Sequence, residues 1–229
     1  MKNYFLFAII GLLSLMNVAC SSTVQSYFDT IQYAFSDRDT VLTLEQISNS
    51  KSDLMRVNVE GRGSVVLALA YIDGEEYRWV SGDHIVITMH HGVITQTEGL
   101  ENDLYFTGNL KNNPLASDDI LAYSWDRKVD IASIGYGLVV KSVWRVEGEV
   151  TQVHFGHEIP MVKITESVVF PDVTPFIDTH RKWENTYYLD AHSKELLASS
   201  QKFSPNAQRY EMTYLSRIVR KIESMELAQ

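Results

Sequence analysis

His154-Phe155-Gly156-His157, followed by Glu158, is the grouping whose residue types come nearest to a metal cluster. On a strand, side chains three apart point to opposite faces, so the two imidazoles converge only if Gly156 marks a turn, and a third ligand would have to come from elsewhere. No metal and no cofactor are assigned. His90-His91, before Gly92, reads as a hairpin corner with solvated imidazoles. The serines lack the G-x-S-x-G and S-x-x-K settings of activated nucleophiles. Glu75-Glu76 and Asp118-Asp119 fall in predicted turns, whereas a glycosidase needs two carboxyls at a set separation within a cleft. Gly61-Arg62-Gly63 is too short for a phosphate loop. No catalytic residue is assigned, and the chain is not read as an enzyme.

Aromatic residues are the remaining chemical signal. Trp79, Trp125, Trp144 and Trp183, with 12 Tyr and 9 Phe, suit stacking on sugar rings, yet half-buried strands enrich the same types for packing. Core packing is the default, and Trp79 and Trp183 are kept as candidate carbohydrate or partner contacts. The formal charge of −9 argues against nucleic acid and against a polybasic hold on anionic lipid.

The sole cysteine, Cys20, follows the stretch MKNYFLFAIIGLLSLMNVA, which has one positive charge and then an apolar run from Tyr4 to Ala19. That is a secretory signal pattern, so residues 1–19 are read as a signal peptide. At 1.5 Å per residue the run rises about 24 Å, short of the roughly 30 Å hydrocarbon core. Val18-Ala19-Cys20 resembles the cleavage site of bacterial lipoproteins, although Asn17 stands where those carry an aliphatic residue. Ordinary signal cleavage, which would leave an exposed thiol, and a buried structural cysteine are the alternatives. The lipoprotein resemblance implies acylation of Cys20, palmitate included. With Ser21 rather than Asp next, it implies sorting to the outer membrane with the domain on the periplasmic face.

Residues 20–229 are the length of one large β domain or two small ones, and they are read as a single domain. Val24, Tyr27, Phe28, Ile31, Ala34 and Phe35 recur at helical spacing, predicting an N-terminal amphipathic helix packed on the domain or lying on the membrane. Thr43 and Gln46 form a capping box for a short helix over 44–50. From residue 54 the period becomes two, in about a dozen runs rich in Val, Ile, Tyr and Thr, separated by turn residues such as Asp73-Gly74 and Gly82-Asp83. The prediction is all-β: an antiparallel up-and-down meander forming one barrel-like domain. Charges on both strand faces argue against a transmembrane barrel. Leu215, Ile218, Val219, Ile222 and Met225 predict a short C-terminal helix, either a cap on the domain or a partner helix.

Residues 42–94, with Trp79, Asp83 and Gly92, and residues 182–203, with Trp183, Asn185, Asp190 and Gln201, resemble the YjbF/GfcB family of group 4 capsule polysaccharide lipoproteins. The resemblance implies a barrel-like lipoprotein of the outer membrane. Its expected role is a non-enzymatic accessory factor in capsule or exopolysaccharide production or export, working through envelope export proteins. A periplasmic carbohydrate-binding module is the alternative, and an enzyme with unnamed residues a third reading. Cys20 alone carries over as a site.

Overall fold

Alternating apolar and polar residues leave each strand with one face to bury, and the chain solves this by rolling its strands around a common interior. The structure, a computed structural model, describes residues 41–117, 123–170 and 182–227. Cys20, the signal segment, the predicted N-terminal helix and the Asp118-Asp119 pair lie outside these residues.

After a short helix α1 (Leu44–Ser48) come β1 (Leu54–Val59), β2 (Ser64–Asp73), β3 (Glu76–Val80), β4 (Val86–His90), β5 (Val93–Glu98) and β6 (Leu104–Thr107). The second half holds β7 (Tyr123–Ile131), β8 (Gly135–His154), β9 (His157–Val169), β10 (Lys182–Asp190), β11 (Leu196–Gln201) and β12 (Tyr210–Thr213), then helix α2 (Leu215–Glu226). All twelve strands form one antiparallel sheet in the order β5-β4-β3-β2-β1-β12-β11-β10-β9-β8-β7-β6. Every ladder joins strands consecutive in the chain except β1 with β12, where Arg56 lies opposite Thr213. The result is an up-and-down, nearly closed barrel.

Its seam lies between β5 and β6, and side chains stitch it where no ladder does. Thr97 Oγ1 accepts from the Leu104 amide at 2.9 Å and donates to Asp103 Oδ1 at 2.8 Å. The Asp103 carboxylate also accepts from the amides of Gly99 and Leu100.

A barrel of about eight strands is already filled by ordinary side chains, and a wider one needs larger residues. Here Trp79, Trp125, Trp144, Tyr187 and Tyr214 are among the largest fully buried side chains. The outward positions of β7 carry Ser124, Asp126 and Lys128, all exposed, while Trp125, Arg127 and Val129 point inward. An apolar interior with a charged exterior is the reverse of a membrane-spanning barrel, which sets an apolar band against lipid.

Helix α1 forms where the capping box places it: Thr43 Oγ1 accepts from the Gln46 amide and Gln46 Oε1 accepts from the Thr43 amide. It ends at Ser48, two residues earlier than expected, with Asn49 as C-cap. Helix α2 lies across the outside of the barrel. Leu215 and Val219 pack with Ile47, Leu54 and Val66, and Ile218 and Ile222 pack with Ile159, Met161 and Leu197. It is therefore a cap on the domain. Arg220 fixes it to Asp53 through two bonds, of 2.7 and 3.1 Å, and Lys221 reaches buried Asp190 at 2.8 Å.

The β8–β9 hairpin is far longer than the other strand pairs. A bulge between Val146 and Gly148 lets its outer half carry on past the barrel wall, to a two-residue turn at Phe155 and Gly156, both with positive φ. Phe155 at the tip packs against both clusters under α2. His154 and His157, opposite each other at this turn, turn to different partners, Gln152 at 3.1 Å and Glu226 at 4.0 Å.

Candidate functional site

One polar chain crosses the barrel interior. Glu166 on β9 has no exposed surface, and its carboxylate takes three donors: Arg127 Nη1 at 2.5 Å, Asn185 Nδ2 at 2.8 Å and the Tyr187 hydroxyl at 3.2 Å. The Arg127 guanidinium lies over the Trp125 ring, 4.4 Å from its centroid, and Tyr187 stacks on Trp144 at 4.9 Å. Burial, with the Glu166 charge beside it, pushes the Tyr187 hydroxyl well above the usual tyrosine range. Gln201 on β11 then reaches the opposite wall, accepting from the Ile94 amide at 3.0 Å and donating to the Gly92 carbonyl at 2.7 Å. Each buried charge is met, as burial requires.

That network ends at the β4–β5 turn, which is the edge of a cavity. His90 lies opposite Val93, so the turn is His91-Gly92, both with positive φ, as a type I′ hairpin demands. A Cβ at Gly92 would come 2.1 Å from Leu196 Cδ2, in a backbone region that side chains rarely adopt. Gly92→Ala is expected to cost about 2–4 kcal/mol, from left-handed strain plus overpacking. Chemical denaturation checks this, and an unchanged midpoint would refute the close approach.

The cavity, about 230 Å³, opens at this end of the barrel. Its walls include the rings of Tyr77, Trp79 and Tyr214, and its polar lining comes from His91, Lys194, Glu195 and Arg217. Trp79 meets Tyr214 edge-on at 5.7 Å, and Arg217 lies over the Tyr214 ring at 4.4 Å. Arg217 also donates to the Leu196 carbonyl at 2.9 Å and sits 3.3 Å from Glu195. One donor in this wall is unmet. The indole Nε1 of Trp79 is buried without a partner, whereas the Tyr214 hydroxyl is hydrogen-bonded with the Ser199 side chain and has the Met89 sulfur at 3.2 Å. Burial raises the Tyr214 hydroxyl to about 12.

Beside the cavity, Glu75, His90 and His91 bring their ligand-type atoms within 4.8 Å of one another, the one such group of three among the described residues. Glu75 Oε2 lies 3.2 Å from His90 Nε2 and Oε1 lies 3.3 Å from His91 Nε2. Asn113 sets the proton on His90. Its Nδ2 donates to the His90 carbonyl at 2.7 Å and faces His90 Nδ1 at 3.2 Å, while its Oδ1 accepts from the Leu115 amide at 3.1 Å. With Nδ1 an acceptor, the neutral ring carries its hydrogen on Nε2 and donates it to Glu75, so the lone pair a metal would need is not on offer there. The sequence drew attention to both pairs of residues without joining them. The β3–β4 register, which sets Glu76 opposite His90, is the missing link.

His90 is buried, which corrects the expectation of solvated imidazoles at this corner, because the ring turns inward onto Asn113. Burial and the neighbouring His91 charge lower its pKa below 6.5, and burial lowers that of His154. Well above pH 6.5 both rings are neutral in either state and contribute nothing. As pH falls below that value, the unfolded chain takes up protons that the folded sites resist. Stability therefore declines until the pH passes the lowered folded values. Urea unfolding over a series from about pH 7 to 5 should record this decline, and His90→Gln should make it shallower. An unaltered slope in the variant would exclude His90 as a source.

The candidate contacts Trp79 and Trp183 are 1% and 9% exposed, and the structure does not bring them together. Trp79 stands between Leu69 and Ile87 on the inward face of β3. Trp183 packs on Phe170 and donates its indole hydrogen to the Lys202 carbonyl at 2.6 Å. Neither ring offers an open outer face on which a polymer could stack; Trp183 lies in the core, and Trp79 in the wall of the cavity.

Known proteins are similar to this chain in sequence and in fold. The chain is 22% identical over 212 residues to "Uncharacterized lipoprotein GfcB" of Escherichia coli K12, spanning 90% of this chain and 96% of that one. It is 22% identical over 189 residues to "Uncharacterized lipoprotein YjbF" of the same strain, spanning 80% and 85%. The crystal structure of the hypothetical lipoprotein YmcC from Escherichia coli K12 has a similar fold, with a TM-score of 0.67 at 21% identity over 86% of this chain and 95% of that one. The family model described as "Group 4 capsule polysaccharide lipoprotein gfcB, YjbF" matches residues 28–215, from ahead of the barrel to the start of α2, and the chain belongs to that family.

Proposed function

We propose that the protein is an outer-membrane lipoprotein, held at the periplasmic face by acylated Cys20. Its role is that of a non-enzymatic accessory factor in producing or exporting capsule or exopolysaccharide. The observation that carries this reading is the family match over residues 28–215. Two features of the barrel support the form it takes. The interior is filled by aromatic side chains, which suits a binding or scaffolding part better than a conduit for polymer. The buried ionisable groups Arg127, Glu166 and Asp190 are engaged by one another or by α2 and the turn it covers, as in a structural network. Its contacts are expected to be envelope proteins of polysaccharide export, with the polysaccharide itself the second partner class.

The test is a clean deletion strain complemented with either the wild-type gene or Cys20→Ala. Surface polysaccharide should fall in the deletion, return with the wild type and stay low with the variant. Unchanged polysaccharide in the deletion would overturn the reading.

A further inference from the structure

From the cavity walls we infer that the end of the barrel holds one saccharide unit, between the rings of Tyr77, Trp79 and Tyr214 and the Glu195–Arg217 pair. The inference rests on the polysaccharide reading for its choice among hydroxyl-bearing ligands; the rest comes from the site. At about 230 Å³ the cavity falls below the roughly 300–1,000 Å³ of sites for drug-sized molecules, so it takes a single ring, such as a chain end or side branch, and not a run of polymer. The half-buried Tyr77 ring in the wall suits the C–H face of a pyranose, with the buried Trp79 and Tyr214 rings behind it.

Charge narrows the class. Arg217 and Lys194 are offset by Glu195 and by Glu75 beside His91, so the lining is close to balanced. A balanced set of donors and acceptors favours a neutral polyhydroxyl ligand over a free ion, since each hydroxyl both gives and takes a hydrogen bond. The wall also has a donor to spare. The Trp79 indole hydrogen has no acceptor, whereas buried donors in folded proteins are nearly always met. A sugar oxygen would supply what it lacks, with Glu195 accepting from a ligand hydroxyl at the rim.

The experiment follows the four tryptophan indole N–H resonances of the 15N-labelled full chain in detergent. Methyl glycosides of glucose, galactose, mannose and glucuronate are titrated to millimolar concentration. Trp79→Phe identifies the Trp79 signal by its disappearance, and backbone-linked assignment does so if that variant fails to fold. A saturable shift confined to the Trp79 indole is the expected result. Glu195→Ala, at a half-exposed position, should weaken the response about tenfold, the loss of one charge-assisted bond, with the melting temperature unchanged. A Trp79 signal that stays fixed with every glycoside would overturn the site, the indole then being met by water alone. A response to glucuronate only would overturn the neutral-sugar assignment. Either result leaves the deletion phenotype standing, so failure of the site and failure of the proposed function are separable.

Discussion

Glu166→Ala is expected to lower stability by about 3–5 kcal/mol and the melting temperature by about 10 °C, the usual consequence of leaving a buried charge without its partner. The loss is larger than for a surface pair because three donors converge on this one carboxylate, and Arg127 would retain its charge inside the barrel. Glu166→Gln keeps the shape and one acceptor oxygen and should cost less. Arg127→Met combined with Glu166→Gln removes both charges and should be milder than the alanine variant, because no uncompensated ion remains. Thermal melts of the four proteins would check the order. An alanine variant that melts within a degree or two of the wild type would mean that the network contributes no net stability.

Cys20→Ala is expected to release the protein from its proposed outer-membrane anchor into the soluble periplasmic fraction. The proposed anchor consists of acyl chains, each buried CH₂ contributing about 0.8 kcal/mol, and nothing in the acidic exterior of the barrel replaces it. Intact-mass spectrometry of the detergent-extracted wild type should give a chain beginning at Cys20 with added acyl mass. A soluble, unacylated wild-type chain would mean that Asn17 defeats processing, and the anchor would have to be abandoned. The folded barrel should be indifferent to the change, so the variant also separates the tether from the domain.

The strands were legible because each carries its own signal: alternation along SVVLALAYI, paired turn residues at Asp73-Gly74, a capping box at Thr43 and Gln46. The number of such runs pointed to a barrel and the residues around Cys20 to a lipoprotein; family resemblance added the connection to capsule polysaccharide. What local pattern could not supply was pairing at a distance. The triad of Glu75, His90 and His91 exists because β3 and β4 pair in one register, and the Arg127–Glu166 pair because β7, β8 and β9 lie side by side. Trp79 and Trp183 looked equally able to stack on sugar from their residue type alone. Strand parity places both on the inward face, and only Trp79 reaches the cavity. Nor did hydropathy distinguish the two uses of the β8–β9 run, whose inner half walls the barrel while its outer half leads to Phe155 beneath α2.

The pairing of β1 with β12 has a consequence for how the chain reaches this shape. Arg56 finds Thr213 only when almost the whole sequence is available, so the neighbouring hairpins can zip early while closure of the ring waits for the last strand. Helix α2 comes later still, and the apolar face formed by Leu54, Val66 and Leu197 stays bare until it arrives. A ribosome or a translocation channel that releases residues in order therefore holds an open, sticky sheet until its final moments. Truncation after β11 would leave that sheet with two free edges, a template for aggregation rather than a smaller barrel.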